Sequence, residues 1–296
     1  MQISQFSDLL LTIVVEPFVE FAFMRRALVA VLALSLSAAP IGVFLTLRRM
    51  SLLGDVLSHA VLPGVAIGFM FFGLSLTAMT IGGVIAGILV AGFASIVSRF
   101  TELKEDASLA AIYLIALALG VTLISRHGSQ LDLLHILFGS ALGVNEQGLM
   151  LVAGVATSSL IVLALMYRGL VFESFDPLFL ASAGRRGWLW QQCFLMLVVV
   201  NLVAGYQTLG TLMAVGLMML PAISARLWHD KLPAQLLNAS LQALLAGTTG
   251  LLLSYHLDTP SGSTIIGCAG LLYFLSLLSA PHGWLQHLWP KQHRSA

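Results

Sequence analysis

"LVAVLALSLSAAPIGVFLTL", residues 28 to 47, is a stretch of 20 residues without a single charged side chain. A helix needs roughly 20 mostly apolar residues to cross the hydrocarbon core of a bilayer. Comparable stretches follow it at 56–73, 76–97, 108–125, 148–167, 188–206, 210–228, 235–256 and 263–280. The sequence therefore predicts an all-α integral membrane protein, a polytopic bundle of about 8–9 transmembrane helices.

The composition of the whole chain supports this class. Hydrophobic residues make up 58% of the 296 residues and charged residues only 9%, with a mean hydropathy of +0.97, whereas soluble domains carry about 25% charged residues. The net charge of +1, without a Lys/Arg cluster long enough to follow a phosphate backbone, argues against a nucleic-acid binder. Cys193 and Cys268 lie in separate apolar segments and are interpreted as small buried hydrophobes.

Three regions follow from the distribution of polar residues. Residues 1–24 lack the basic start of a signal peptide and contain acidic residues, so we expect a segment along the membrane interface. Residues 25–280 form one transmembrane domain, and residues 281–296 a cytoplasmic tail. The tail holds three histidines, at 282, 287 and 293, and we interpret it as a basic interfacial tail rather than a metal site.

The placement of lysine and arginine predicts the orientation of the bundle, because cytoplasmic loops carry an excess of these residues. If the first helix runs from outside to inside, 11 of the 14 lysines and arginines lie in the cytoplasm. Only Arg25, Arg26 and Arg126 then lie outside.

Asp55 and His59 stand four residues apart at the start of the second apolar stretch. Such positions share a helix face, and ionisable groups within membrane spans usually mark a transport pathway. A carboxylate and an imidazole together suit Zn²⁺ or Mn²⁺. The alternative is structural: Asp55 could cap the helix and His59 could hydrogen-bond a neighbouring carbonyl. Spacing alone leaves both interpretations open.

The pair is also incomplete, because two ligands do not close a tetrahedral site. If two copies of the chain met with this helix beside a two-fold axis, two aspartates and two histidines would converge. Asp132 and His135, in a segment too short to cross the membrane, are a second candidate, either in an outer vestibule or at a solvated helix start.

The predicted cytoplasmic loop 168–187 contains "FDPLFLASAG" at 175–184. Ser174 or Asp176 could cap a short helix there, with Pro177 in its first turn and Gly184 at its end. That helix would present Phe175, Leu178 and Phe179, either to a soluble subunit or to the bilayer surface. The chain has no GxxxxGK[ST] motif, so energy for active transport must come from a partner or an ion gradient.

"RRMSLLGDVLSHAVLPGVAIGF" (48–69) resembles the signature of bacterial ABC-transporter permeases that import zinc, manganese or iron ions. "ELKEDASLA" (102–110), "LFGSALGV" (137–144), "FDPLFLASAG" (175–184), "TLGTLMAVGLMMLPAISARL" (208–227) and "DTPSGSTIIGCAGLLYFLSLL" (258–278) are similar to further blocks of that family, in the same order. The resemblance extends from about residue 25 to residue 280.

The resemblance implies a non-enzymatic transport subunit of the bacterial inner membrane, with the vitamin-B12-importer-like permease fold. It implies a second permease, either an identical copy or a similar chain. It also implies two cytoplasmic ATPase subunits that bind ATP and Mg²⁺, and an external solute-binding protein that delivers the ion. Asp55 and His59 would then contact the transported Zn²⁺ or Mn²⁺, and residues 175–184 would be the coupling segment. The presence of a histidine gives a slight preference for zinc. The coupling segment is more apolar here than in many relatives. Alternatives are a permease for a metal chelate or vitamin and a membrane-embedded metalloenzyme.

Overall fold

The computed structural model describes residues 14–73, 75–102, 105–127, 141–175 and 187–284, and within these ranges every regular element is a helix. A 3₁₀ turn at Ala141–Gly143 precedes the second half of the bundle. In chain order the α-helices are α1 (Glu16–Glu20), α2 (Ala22–Leu47), α3 (Leu53–Ala60), α4 (Leu62–Phe72), α5 (Leu76–Phe100), α6 (Glu105–His127), α7 (Glu146–Phe175), α8 (Gly187–Leu209), α9 (Thr211–Trp228), α10 (Leu232–Leu257) and α11 (Ser261–Ser279).

The predicted number of membrane spans is confirmed. Eight helical stretches of the described chain are long and apolar enough to cross a bilayer, with α3 and α4 together forming one of them. A ninth apolar stretch, Ala107–Leu123 in α6, is slightly shorter. The predicted spans 188–206 and 210–228 are indeed separate helices, because the chain turns at Gly210, whose φ is +96°.

The turn between α2 and α3 holds the start of α3 in place. Arg49 adopts the left-handed conformation with φ 60°, and the Met50 amide donates to the Leu45 carbonyl at 3.0 Å while the Arg49 amide donates to Thr46 at 3.2 Å. This pair of bonds is the Schellman motif, which normally places glycine at the left-handed position. The chain therefore leaves α2 in a fixed direction and begins α3 at Leu53.

A break separates α3 from α4. Pro63 lies in the first turn of α4, where its missing amide proton costs no helical hydrogen bond, and the same residue could not continue the hydrogen-bond ladder of α3. The predicted span 56–73 therefore begins earlier in the structure, at Leu53, and consists of two short helices. Asp55 and His59 both lie on the first one.

Helices α2 and α8 form the centre of the bundle. In each of these two helices, 72% of the apolar membrane-spanning stretch is buried inside the bundle, whereas the share is 28% in α5, α7 and α11. Helix α2 contacts α7, α8, α9 and α10. Gly42 permits the closest of these contacts, because a Cβ atom there would overlap with the backbone carbonyl of Met218 in α9. Small residues at such crossings are the usual packing device between membrane helices.

Three amide side chains of α8 join it to its neighbours. Gln207 accepts a 2.6 Å hydrogen bond from the Thr80 hydroxyl of α5, and Gln192 donates to the Ser95 hydroxyl of α5 at 2.7 Å. Asn201 donates to Ser159 of α7. These contacts pair polar groups that would otherwise be unsatisfied in the apolar interior.

The contacts at the helix ends agree with the predicted topology. Arg226, at the end of α9, donates to the Thr46 carbonyl near the end of α2 at 3.3 Å, and the His282 amide donates to Leu227 at 3.1 Å. These residues all belong to the side assigned to the cytoplasm. On the other side, the Ala141 amide donates to the Ser261 hydroxyl at 3.0 Å.

Candidate functional site

Helix α3 has one buried face and one open face. Leu53, Gly54, Leu57, Ser58 and Ala60 are buried, mostly against α6 and α8. The open face carries Leu52, which immediately precedes the helix, together with Asp55 and His59. The helical repeat thus places the two predicted ligands on the side that the rest of the described chain leaves uncovered.

The structure brings Asp55 and His59 together without closing a bond between them. The Asp55 Oδ1 atom lies 3.8 Å from the His59 Nε2 atom, and the two side chains are 68% and 37% exposed, respectively. This separation exceeds a hydrogen bond. The mostly exposed Asp55 carboxylate can therefore turn toward a third group, such as a cation, beside the Nε2 atom of His59.

Neither of the two hydrogen bonds that the structural alternative invokes is present among the described residues. Asp55 is the third residue of α3, and the position that would cap the helix is occupied by Leu52, without a side-chain hydrogen bond. The negative charge still lies near the positive end of the helix dipole, which favours it. The Nδ1 atom of His59 is buried and has no hydrogen-bond partner within the described part of the chain, so His59 makes no bond to a neighbouring carbonyl from that atom.

A cavity of about 300 Å³ lies beside Asp55, between the α2–α3 turn and α6. Its polar lining comes from the Arg49, Ser51, Asp55 and Tyr113 side chains, and its apolar lining includes Met50 and Leu109. A volume of this size accommodates several water molecules. Asp55 therefore borders a space that can hold a hydrated ion.

One chain does not supply a complete metal site from its described residues. Nowhere among them do three or more histidine, cysteine, aspartate or glutamate side chains converge. A second Asp–His pair, which the sequence analysis did not single out, joins Asp230 to His282 at 3.1 Å. That pair lies beyond the ends of α9 and α11 and both its side chains are largely exposed, as expected of a solvated surface contact.

The other predicted site residues fall largely outside the described ranges. Asp132 and His135 do so, as do Asp176, Pro177, Leu178, Phe179 and Gly184 of the coupling segment. Phe175 is the last residue of α7. Ser174 does not cap a new helix, because it lies within α7 and its hydroxyl donates to the Leu170 carbonyl at 2.7 Å.

An ion pair near the site was missed by the sequence analysis. The guanidinium of Arg48 binds the carboxylate of Glu173 in the last turn of α7, and both side chains are mostly buried, at 8% and 16% exposure. The same guanidinium lies over the ring of Phe194 in α8, 4.6 Å from its centre, which is within the range of a cation–π interaction. The sequence did show Glu173 as an acidic residue shortly after the predicted span 148–167, but nothing in the sequence identified Arg48 as its partner.

Comparisons with known proteins agree with this architecture. The model of the ABC 3 transport family matches residues 20–280. A manganese import system permease protein, ScaB of Streptococcus parasanguinis, is 34% identical over 262 residues, which cover 88% of this chain and 92% of the relative. A manganese transport system membrane protein, MntC of Halalkalibacterium halodurans, is 32% identical over 94% of this chain and 95% of its own length.

A solved structure resembles the chain equally well. PsaBC from Streptococcus pneumoniae, in complex with a Fab, includes a chain that superposes with a TM-score of 0.82 and 30% sequence identity. The superposition covers 93% of this chain and 98% of that one. The order and packing of the helices are therefore shared over almost the whole length.

Proposed function

The chain belongs to the ABC 3 transport family, and on this premise we propose that it conducts manganese ions into the cytoplasm by way of Asp55 and His59. The resemblance to metal-ion ABC importer permeases and the vitamin-B12-importer-like fold are confirmed. The chain is a multi-pass protein of the bacterial cytoplasmic membrane and a transport component, with ATP hydrolysed by a partner subunit.

The observation that carries the proposal is the open position of Asp55 on a helix of a membrane span. Asp55 is the third residue of its span, at the end assigned to the cytoplasm. A carboxylate that is 68% exposed there must find water, an ion or another protein surface, because ionisable groups are costly to leave in contact with lipid. His59 lies next to it with its Nε2 atom 3.8 Å from the carboxylate. An ion pathway along this face satisfies both groups, whereas contact with lipid would satisfy neither.

The choice of manganese rests on the donors and on the relatives. Carboxylate oxygen suits Mn²⁺ and imidazole suits several transition metals, so the pair accepts manganese as well as zinc. The relatives described above are named for manganese, and none of their names supports the slight preference for zinc that the histidine suggested. Manganese is therefore the better proposal.

We place a second copy of the chain against the open face of α3. Leu52, Asp55 and His59 follow one stripe of this face, and Leu52 is an apolar side chain with 78% exposure. A two-fold axis beside the stripe would bring two carboxylates and two imidazoles together and complete the ligand set. Each ion would then bind between two subunits and leave when they move apart.

The energy for this movement comes, in our proposal, from two ATPase subunits that dock on residues 175–184, while a solute-binding protein delivers the ion from outside. Alternating access requires two states that differ in their affinity for the ion. Asp132 and His135 are proposed for the outer vestibule, where they would receive the ion. The permease contributes transient coordination and no covalent step.

The decisive experiment measures manganese uptake into proteoliposomes that contain the permease, its cognate ATPase and the manganese-loaded binding protein. Asp55→Asn and His59→Ala should lower uptake by at least about tenfold, since each removes a proposed ligand and even indirect support of a metal costs 10- to 100-fold. Asp230→Asn and His282→Ala are the matched controls, because they disrupt the solvated Asp–His pair, and should leave uptake near the parental rate. Parental uptake by Asp55→Asn would refute the proposed pathway, and uptake of a chelate in preference to the ion would refute the substrate.

The proposed dimer is tested separately by cross-linking. In a chain carrying Cys193→Ser and Cys268→Ser, a Leu52→Cys substitution should allow a short bismaleimide to join two permease copies in the membrane. A matched Leu278→Cys variant, exposed in the last turn of α11 on the side assigned to the cytoplasm, should give little cross-linked product. If both variants stay uncross-linked in an active transporter, the axis does not lie beside α3.

A further inference from the structure

The buried contact of Arg48 joins three parts of the molecule. Its backbone belongs to the α2–α3 turn, its guanidinium binds Glu173 at the end of α7, and the same group lies over Phe194 of α8. Helices α7 and α8 are the two that flank residues 176–186 in the chain. Arg48 is therefore in contact with the helix before the proposed coupling segment and with the helix after it.

The turn that carries Arg48 also sets the position of Asp55. Arg48 is followed by the left-handed residue Arg49, and the Met50 amide is bonded to the Leu45 carbonyl. The Leu53 amide donates to the Met50 carbonyl at 3.0 Å as α3 begins. This chain of short-range bonds leaves little freedom between the backbone of Arg48 and the first turn of α3. The guanidinium of Arg48 is held in turn by Glu173 and Phe194, so we expect a displacement of these two residues to reach the start of α3.

The pair is also unusual in energetic terms. Desolvating two charges is costly, and buried ion pairs are often no more stabilising than apolar residues of the same size. Helices α7 and α8 already pack closely without it, because the indole ring of Trp190 covers Gly169 so tightly that a Cβ atom there would approach it to 2.7 Å. A purely structural need for the Arg48–Glu173 pair is therefore weak.

We propose that Arg48 and Glu173 are positioning residues that transmit movement of α7 and α8, at the ATPase side, to Asp55 and His59. This inference rests on the proposed function of the Asp55–His59 pair. When the ATPase subunits move the ends of α7 and α8, the guanidinium follows Glu173 and Phe194, and the α2–α3 turn carries the metal ligands with it. In this proposal the ion pair couples the end of α7 to the α2–α3 turn, and the cation–π contact holds the guanidinium of Arg48 against Phe194 of α8.

The test uses the complete transporter in proteoliposomes and measures manganese uptake per ATP hydrolysed. Glu173→Gln keeps the shape of the side chain and removes its charge. We expect normal assembly with the ATPase but a ratio of uptake to hydrolysis that falls roughly two- to thirty-fold, the usual range for residues that carry coupling. Asp230→Asn, which breaks an ion pair on the same side without touching α7, is the matched control and should keep the parental ratio.

A double variant separates coupling from stability. Arg48→Met with Glu173→Leu replaces the pair by apolar groups, which often restores stability because no charge remains buried alone. We expect its thermal midpoint to return toward the parental value while its uptake per ATP stays low. If uptake per ATP returns together with the stability, or if Glu173→Gln transports as efficiently as the parent, the inference is wrong.

A third measurement reports movement directly. Ser51→Cys, in a background without the two natural cysteines, lies beside Asp55 in the same cavity. Its rate of maleimide labelling should change when ATP binds to the parental complex and should become insensitive to ATP when Glu173→Gln is added. An ATP response that survives in Glu173→Gln overturns the inference. Absence of uptake by the parent itself would instead refute the proposed function.

Discussion

The contact between α4 and α5 allows a quantitative prediction about the helix pair beside the site. A Cβ atom at Gly64 would overlap with the carbonyl oxygen of Gly82 and lie 2.6 Å from the Cβ atom of Ala86. In the opposite direction, a Cβ atom at Gly82 would overlap with the carbonyl oxygen of Gly64. Because the obstacles are backbone atoms, no change of rotamer relieves the overlap, and Gly64→Ala must push the two helices apart.

The size of the effect follows from two opposing contributions. Inserting a methyl group into a well-packed contact costs about 1–3 kcal/mol, and replacing glycine by alanine within a helix returns up to about 1 kcal/mol. We expect Gly64→Ala to lose about 1–2 kcal/mol of stability, which lowers the thermal midpoint by roughly 2–3 °C in a chain of this size. Gly82→Ala should behave in the same way.

The control lies on the same helix as Gly82. Gly92 has no atom within 4 Å of the position that a Cβ would occupy, so Gly92→Ala gains helix propensity without an overlap and should raise the midpoint. Unfolding of purified protein in detergent, followed by the fluorescence of its 5 tryptophans, measures all variants. The double variant Gly64→Ala/Gly82→Ala should lose less than the sum, since the helices separate only once. A midpoint for Gly64→Ala equal to or above that of Gly92→Ala would refute the close approach of α4 and α5.

Two further predictions use the same unfolding measurement. Arg49→Gly should stabilise the chain by about 1 kcal/mol, because it removes the cost of holding an L-residue in the left-handed conformation. Asp258→Gly, at φ 51°, should gain less stability, because aspartate adopts this conformation more readily. Equal gains in the two variants would contradict this reasoning. Ser159→Ala deprives Asn201 of its partner and should cost about 0.6 kcal/mol, at most about 1.7 kcal/mol. Ser158→Ala should change the midpoint little, because the Ser158 hydroxyl donates to the Val155 carbonyl of its own helix. If the two serine variants lose equal stability, the bond between α7 and α8 contributes nothing.

The number of spans was predictable because the signal is local. The length and hydrophobicity that allow a stretch to cross the membrane are read from its own residues. The turn at Gly210 was visible as a short break between two such stretches. The predicted ends were less accurate where polar residues continue a helix. Helix α7 extends to Phe175, beyond the predicted end at 167, because Glu173 finds a partner and so remains compatible with a helix that is partly buried.

The partner of Glu173 could not be found from the sequence. Arg48 and Glu173 are 125 residues apart in the chain, and their meeting depends on how far α7 extends and how α2 and α7 are rotated against each other. Hydropathy and spacing carry no information on either point. The Asp55–His59 pair was found because an i, i+4 relation on one helix is fixed by local geometry alone.

The two Asp–His pairs show why distance alone does not identify a transport site. Asp230 and His282 are closer, at 3.1 Å against 3.8 Å for Asp55 and His59, and distance would select them as the better site. Their contact is already made, however, and it lies where water can replace either partner at little cost. Asp55 and the Nε2 atom of His59 are not hydrogen-bonded to each other, at 3.8 Å, and both residues stand on a membrane-spanning stretch. A site that must bind and release an ion at every cycle needs ligands in this unsatisfied condition, because ligands already bonded to each other would have to be separated before each ion could bind.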